Sequence, residues 1–396
     1  MIFPGYLELS DINKYRSSAM QRKISHYEEQ GQKFSGVSSL EFEILEAIER
    51  TRVYHPEFPY VEVVEKGDVE NARRSADLNP RVFCGFMKNR DFGIFYDWQM
   101  PVKIGRYVRL IFGEPLEDWQ IKLREKDGIK YTPFIYSIYD FPAFRRFNVC
   151  RSDLTNYVQK MAGWFIGLHE LGHIVNGHLW LMEEVKAEKK SIDLNTRRAL
   201  EIHADITSVT LMLQIMNNWK KYVGIRQPVP QLNGKNPGIT YCDEITFGAL
   251  AAYIVLRMFL THEQWDEYTV GYHEMEKETH PLTELRMAIV YNVFLQGIID
   301  LGVSEEVEII FANSFYQSVQ QFEDFMFENQ SKAEEERLYY KPTELLRTER
   351  GKQYYQTIFD SVLKLNDLLD GYSTTQQMLT GQWTDYETLP ERMHWI

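Results

Sequence analysis

The sequence predicts an α+β protein: a mainly α-helical core, a small N-terminal antiparallel sheet region beside it, and a helical C-terminal region. Three observations carry this. Short aromatic and β-branched runs, punctuated by Gly, Pro and Asp, are confined to the first 150 residues. From Ser152 onward apolar residues recur at helical spacing. Beyond residue 301 the chain is more highly charged but keeps an apolar helical stripe. The expected regions are therefore 1–150, 151–301 and 302–396.

In order, Leu9–Glu29 and Ser38–Arg52 read as helices, the second with Leu40, Ile44, Leu45 and Ile48 at helical spacing. Strands are expected at Tyr60–Val64, Arg81–Phe86, Gly93–Trp98, Tyr107–Phe112 and Tyr131–Tyr139. Ser152 or Asp153 can cap a helix that runs through Tyr157, Met161, Phe165 and Ile166 to His173. The charged segment Glu183–Ser191 reads as a solvated helix end or loop. A further helix carries Leu200, Ile202, Ile206, Val209 and Leu213 and ends near Lys221. Val223–Glu244, with Pro228, Pro230, Gly234, Pro237 and Gly238, is a long loop, either a lid or specificity element or a surface connection. Helices follow at Ile245–Leu260, Pro281–Leu301 and Ser304–Asn329. In Lys332–Gly371 the stripe is Ile358, Val362, Leu363, Leu365 and Leu368.

Composition narrows the function classes. Hydrophobic residues make up 44% and charged residues 26%, as in ordinary folded chains, and 14% aromatics argue against a long disordered tail. A net charge of −13 disfavours nonspecific binding to nucleic acid or to an anionic membrane. The longest apolar stretch, Phe247–Leu256, is half the ~20 residues a membrane span needs. The N-terminus has neither a basic region nor an apolar core, so it does not read as a signal peptide. Cys84, Cys150 and Cys242 are widely spaced and form no metal-ligand pattern, so reduced thiols and a cytoplasmic location are expected.

The chemistry concentrates in His169-Glu170-Leu171-Gly172-His173. Histidines at i and i+4 stack on one helix face, so both imidazoles can converge on one metal ion. Glu170 lies roughly 100° further round the helix, where it reaches a water at the metal without becoming a ligand. Zinc peptidases use this arrangement, with the glutamate as general base. A third ligand is expected from Glu201-Ile202-His203-Ala204-Asp205, which begins 28 residues after His173. Glu201 and Asp205 share a helix face. Glu201 completes a His₂Glu zinc sphere, and Asp205 can accept a hydrogen bond from the free nitrogen of a ligand histidine. His203, about 200° away from Glu201, competes as the ligand if the helix is rotated by half a turn. His178 falls nine residues after His169, one short of the metzincin register. Glu201 is favoured.

A third segment is Thr279-His280-Pro281-Leu282-Thr283-Glu284-Leu285-Arg286. Proline suits the first position of a helix, which puts His280 at the cap. A histidine there can donate a hydrogen bond to the oxyanion that forms when water attacks a peptide carbonyl. Arg286 is a cation available to anchor a carboxylate of the site or of the substrate.

These three segments, in this order, resemble the gluzincin peptidases of the HtpX and CAAX-prenyl-protease type, which carry HExxH, ExxAD and HP…R. The resemblance covers about residues 152–300. It implies a zincin-like catalytic core in which His169, His173 and Glu201 bind Zn²⁺, Glu170 is the base, Asp205 supports a ligand and His280 is electrophilic. Ser208 stands where those relatives often have alanine. Those relatives are membrane proteins, whereas no span is expected here. HELGHIVNGH is similar to the HExxH neighbourhood of the soluble phage-exclusion peptidase Lit, and ImmA-like regulators share a similar core.

Two function classes follow. One is a soluble intracellular zinc endopeptidase acting on a protein or peptide, with a housekeeping or a conditional role. The other is a noncatalytic module stapled by zinc that binds a partner. Glu170 separates them, because a structural zinc needs four closed ligands and no base.

Overall fold

The computed structural model describes residues 39–66, 81–97, 99–113, 151–223, 241–259, 281, 283–299, 313, 317–318, 321, 349–369 and 372. The described residues include eight helices: α1 (Ser39–Arg52), α2 (Gln99–Phe112), α3 (Arg151–Val175), α4 (His178–Ala187), α5 (Leu194–Val223), α6 (Tyr241–Phe259), α7 (Thr283–Ile299) and α8 (Glu349–Leu368). Three strands, β1 (Val61–Lys66), β2 (Val82–Phe86) and β3 (Phe92–Asp97), form one sheet in the order β1-β3-β2. The chain is thus mainly helical with a small sheet, the α+β class expected.

Helix α3 is the axis of the fold. Leu154, Val158, Met161, Phe165, Ile166, Leu168, Leu171 and Ile174 are all buried and lie all round it, which marks a helix enclosed by others. It packs on α1, α2, α5, α6 and β2. Small residues let the neighbours close in. A Cβ on Gly167 would lie 2.7 Å from Ile44 Cγ2 of α1. A Cβ on Gly172 would lie 3.2 Å from the Ala204 carbonyl oxygen of α5. The Ser208 hydroxyl then donates 2.9 Å across to the Phe165 carbonyl, tying α5 to α3. Buried residues from Leu40 to Leu369 join one apolar cluster that draws on all three expected regions.

Several expectations are corrected. Tyr107–Phe112 is not a strand but the end of α2. Met100, Ile104, Val108 and Ile111 are buried at four- and three-residue steps, a helical stripe that a window starting at Tyr107 cuts off. The sheet is mixed: β2 pairs antiparallel with β3, while β1 pairs parallel with β3. The intervening β2 carries the chain back, which allows β1 and β3 to run the same way. Helix α3 already includes Arg151, so Ser152 and Asp153 lie in its first turn rather than at its cap. In α8, Ile358, Val362 and Leu365 are buried, but Leu363 and Leu368 are exposed, to either side of that stripe. The expected helix Leu9–Glu29 and strand Tyr131–Tyr139 lie outside the described residues, as do nearly all of Ser304–Asn329 and residues 224–240 of the loop expected at Val223–Glu244; Val223 instead ends α5 and Tyr241–Glu244 begin α6. No helix among the described residues is long and apolar enough to cross a membrane.

The sheet places one edge beside α3. The Asp97 N–H donates to the Arg81 carbonyl at 3.0 Å, and the Met87 N–H donates to the Asp91 carbonyl at 2.8 Å. Bonding in an antiparallel pair alternates along the strand. The main-chain groups of Val82, Cys84 and Phe86 therefore point away from β3, and among the described residues β2 is an edge strand.

Gly167→Val should test the α1–α3 contact. Its branched side chain cannot fit against Ile44, and overpacking of this kind costs about 1–3 kcal/mol. Thermal denaturation should show a lower Tm, partly restored by Ile44→Ala in the same chain. An unchanged Tm would show that α1 is free to move away.

Candidate metal centre

His169 and His173 stand one turn apart on α3, and α5 brings Glu201 opposite them. The two Nε2 atoms are 3.2 Å apart. Glu201 Oε2 is 3.5 Å from His169 Nε2, and Glu201 Oε1 is 3.6 Å from His173 Nε2. Zinc holds nitrogen and oxygen donors at about 2.0–2.2 Å, so neighbouring donors of a tetrahedral ion stand about 3.3–3.6 Å apart. The observed triangle matches that spacing, and its N, N, O chemistry suits zinc. Among the described residues this is the one group of three or more such side chains able to share an ion.

Asp205, one turn beyond Glu201, is fully buried. Its Oδ1 lies 2.9 Å from His169 Nδ1, a close contact in which the ring N–H points off the ideal line. Arg286 of α7 grips the same carboxylate with both arms, Nε to Oδ2 at 2.7 Å and Nη2 to Oδ1 at 2.8 Å. Burial would raise the Asp205 pKa, but Arg286 and His169 hold it below the usual range. Arg286 is in turn held more firmly charged, because Asp205 and the nearby Glu201 and Glu170 outweigh its burial. Of the two roles expected for Arg286, the structure places it on a carboxylate of the site.

His173 has a different neighbour. Its Nδ1 is 2.8 Å from His178 Nδ1, and His178 Nε2 is 3.1 Å from His203 Nδ1. The two histidines weighed as alternative ligands therefore stand behind His173, outside the three-donor group. The turn that brings His178 back depends on Gly177, whose φ of 80° is the left-handed region that glycine enters at no steric cost. A Cβ at Gly177 would also lie 2.6 Å from Tyr372.

Glu170 is buried and is not one of the three donors. Burial pushes its pKa up; His169 opposes that rise and Glu201 adds to it. The Cys84 thiol and Cys84 backbone N–H, at the outward edge of β2, both face the Glu170 carboxylate. Burial and Glu170 together hold the thiol well above its ordinary pKa, so Cys84 is a neutral donor. Glu201 is held well below the usual carboxylate range: burial is outweighed by His173, His169 and Arg286.

His280 lies outside the described residues; Pro281 is buried and α7 begins at Thr283. The sequence reading left Cys84 as a plain buried thiol and did not foresee the contact between His178 and His173. Neither carries a local signal. The Cys84 contact depends on how the sheet docks, and the His178 contact on the turn at Gly177. No protein-family model, curated protein or solved structure matches the chain.

Zinc binding should release a proton. Burial opposes charge on His169, but Asp205 and Glu201 raise its pKa to about 10, so metal-free protein carries this histidine protonated at neutral pH. His173 is neutral there, with burial lowering its pKa to about 4. Zinc must displace the His169 proton, so apparent affinity should fall about tenfold for each pH unit below the His169 pKa. Titration calorimetry at pH 7.5 in buffers of contrasting ionisation enthalpy should give about one proton released per zinc. Release near zero would show that His169 is already neutral.

Proposed function

We propose that this chain is a zinc-dependent endopeptidase of gluzincin type that hydrolyses peptide bonds of an intracellular protein or peptide. The observation that carries the reading is the three-donor group His169, His173 and Glu201, beside a buried glutamate that is not a donor. A zinc staple would call for a fourth protein ligand, and among the described residues the group has three. The resemblance allows either a housekeeping role or a conditional one in phage exclusion or regulator cleavage, and identification of the substrate separates them.

Zinc, when bound, supplies a Lewis acid that polarises the scissile carbonyl and makes water more acidic. Glu170 accepts the proton of the attacking water and returns it to the nitrogen as the C–N bond breaks. Its raised pKa makes it a stronger base than an exposed glutamate. The two donors of Cys84 orient its carboxylate. Asp205, held by Arg286, keeps the His169 ring turned toward the donor group. His280, just ahead of α7, is the proposed oxyanion donor.

The substrate class follows from the sheet. An extended peptide can add to the edge of β2, where the main-chain groups of Val82 and Phe86 and the Cys84 carbonyl point outward, and that edge passes Glu170. Beyond Phe86 a cavity of about 640 Å³, bordered by Met87, Arg90, Trp180 and Glu183, has room for a side chain.

Glu170→Gln should keep zinc and the fold yet lose about 10²–10⁴ of the cleavage rate, because an amide cannot take the proton. Labelling of new protein N-termini in lysate should show cleavage products with the wild type that vanish in the variant and on chelation. Equal products from both proteins would sink the peptidase reading. His280→Ala should lower kcat by about 10²–10³ with zinc content and KM nearly unchanged. A variant that loses stability but keeps kcat would make His280 a helix cap.

A further inference from the structure

The two ring nitrogens of His169 and His173 that face away from the donor group meet different chemistry. Behind His169 stands Asp205, a carboxylate fixed by Arg286, which can only accept. Behind His173 stands a second imidazole and behind that a third, at 2.8 Å and 3.1 Å. A neutral imidazole carries one donor and one acceptor, so a chain of three has two consistent states. In one, His173 bears its proton on Nδ1 and donates to His178, which donates from Nε2 to His203. In the other all three protons are exchanged between ring nitrogens, and His173 then has its proton on Nε2, with no lone pair for a metal. The first state is ready for metal and the second is not.

We propose that His178 and His203 are positioning residues that hold His173 in the tautomer offering Nε2 to a metal, so that the tautomer of His203 follows occupancy of the centre two rings away. This rests on the zinc reading given above. His178 is 1% exposed, so water does not readily substitute for its nitrogens. Its place is set by the Gly177 turn and by its own ring, which lies 4.9 Å from that of His173 and 5.2 Å from that of His203, centroid to centroid. The two ligand histidines thus differ in kind. His169 is oriented by a fixed negative charge, His173 by a reversible relay of neutral rings.

The experiment uses the full chain, metal-free and zinc-loaded. Competition with a chromophoric chelator should show that His178→Phe, which keeps a ring but no nitrogen, weakens zinc about 10–100-fold. His178→Asn, which puts an amide oxygen near the position of Nδ1, should recover most of that loss. Long-range ¹H–¹⁵N correlation spectra of the unmutated protein supply a readout independent of folding in the variants. With zinc bound, His178 and His203 should both show protonated Nε2 and unprotonated Nδ1. Protonated Nδ1 on either ring in the zinc-loaded protein would overturn the proposal. So would wild-type zinc affinity in a folded His178→Phe, and in both cases the three-donor site would stand. Failure of the wild type to bind zinc at all would remove that site and this inference with it.

Discussion

The contact on which the rest depends is the approach of α5 to α3 at Gly172. Any side chain there would press on the backbone of Ala204 and on Thr207, both within 3.3 Å of the added carbon. Because the position is glycine, two helices from different parts of the chain run close enough for Glu201 to face His169 and His173. The cross-links settle around this point: Ser208 to the Phe165 carbonyl on one side, Asn176 to Thr207 on the other. Histidines at i and i+4 supply only two of the three donors. The third depends on a distance between helix axes, and a residue without a side chain sets it.

Closeness brings an electrostatic problem that the same helices resolve. Glu170, Glu201 and Asp205 are crowded into one buried region, and three carboxylates there would repel one another. Arg286 neutralises one of them through two short hydrogen bonds. His169, charged when no metal is present, offsets another. The third, Glu170, keeps a raised pKa, set first by burial, with Glu201 adding to it and His169 opposing. A buried ion pair adds little stability by itself. Here its value is in holding a histidine ring at a chosen angle.

How much of this could be read beforehand depended on the range of the interaction. The four-residue repeat of His169 and His173, the shared face of Glu201 and Asp205, and the apolar periodicity of α3, α5 and α6 are local, and each is present as expected. The sequence leaves Arg286 open between a carboxylate of the site and one of the substrate, because its partner Asp205 is on another helix, 81 residues away in the chain. The end of α2 was misread because Tyr107–Phe112 is rich in β-formers, while the stripe that makes it helical begins at Met100. The direction of β1 against β3 is a matter of tertiary pairing, to which no single strand carries a clue. Cys84 and His178 acquire partners only through the docking of the sheet and the reversal at Gly177.

The tie between Gly177 and Tyr372 has a consequence for synthesis on the ribosome. The histidines, Glu201 and Asp205 have all been translated by residue 205, yet α8, which packs on α5 and sets Tyr354 under Arg198, comes more than 140 residues later. At about 5–20 residues per second that is a wait of roughly 7–30 s, during which one apolar flank of α5 lacks its cover. The turn behind His173 gains its packing from Tyr372 later still. A nascent chain therefore carries His169, His173 and Glu201 well before α8 and Tyr372 are there to cover α5 and the Gly177 turn.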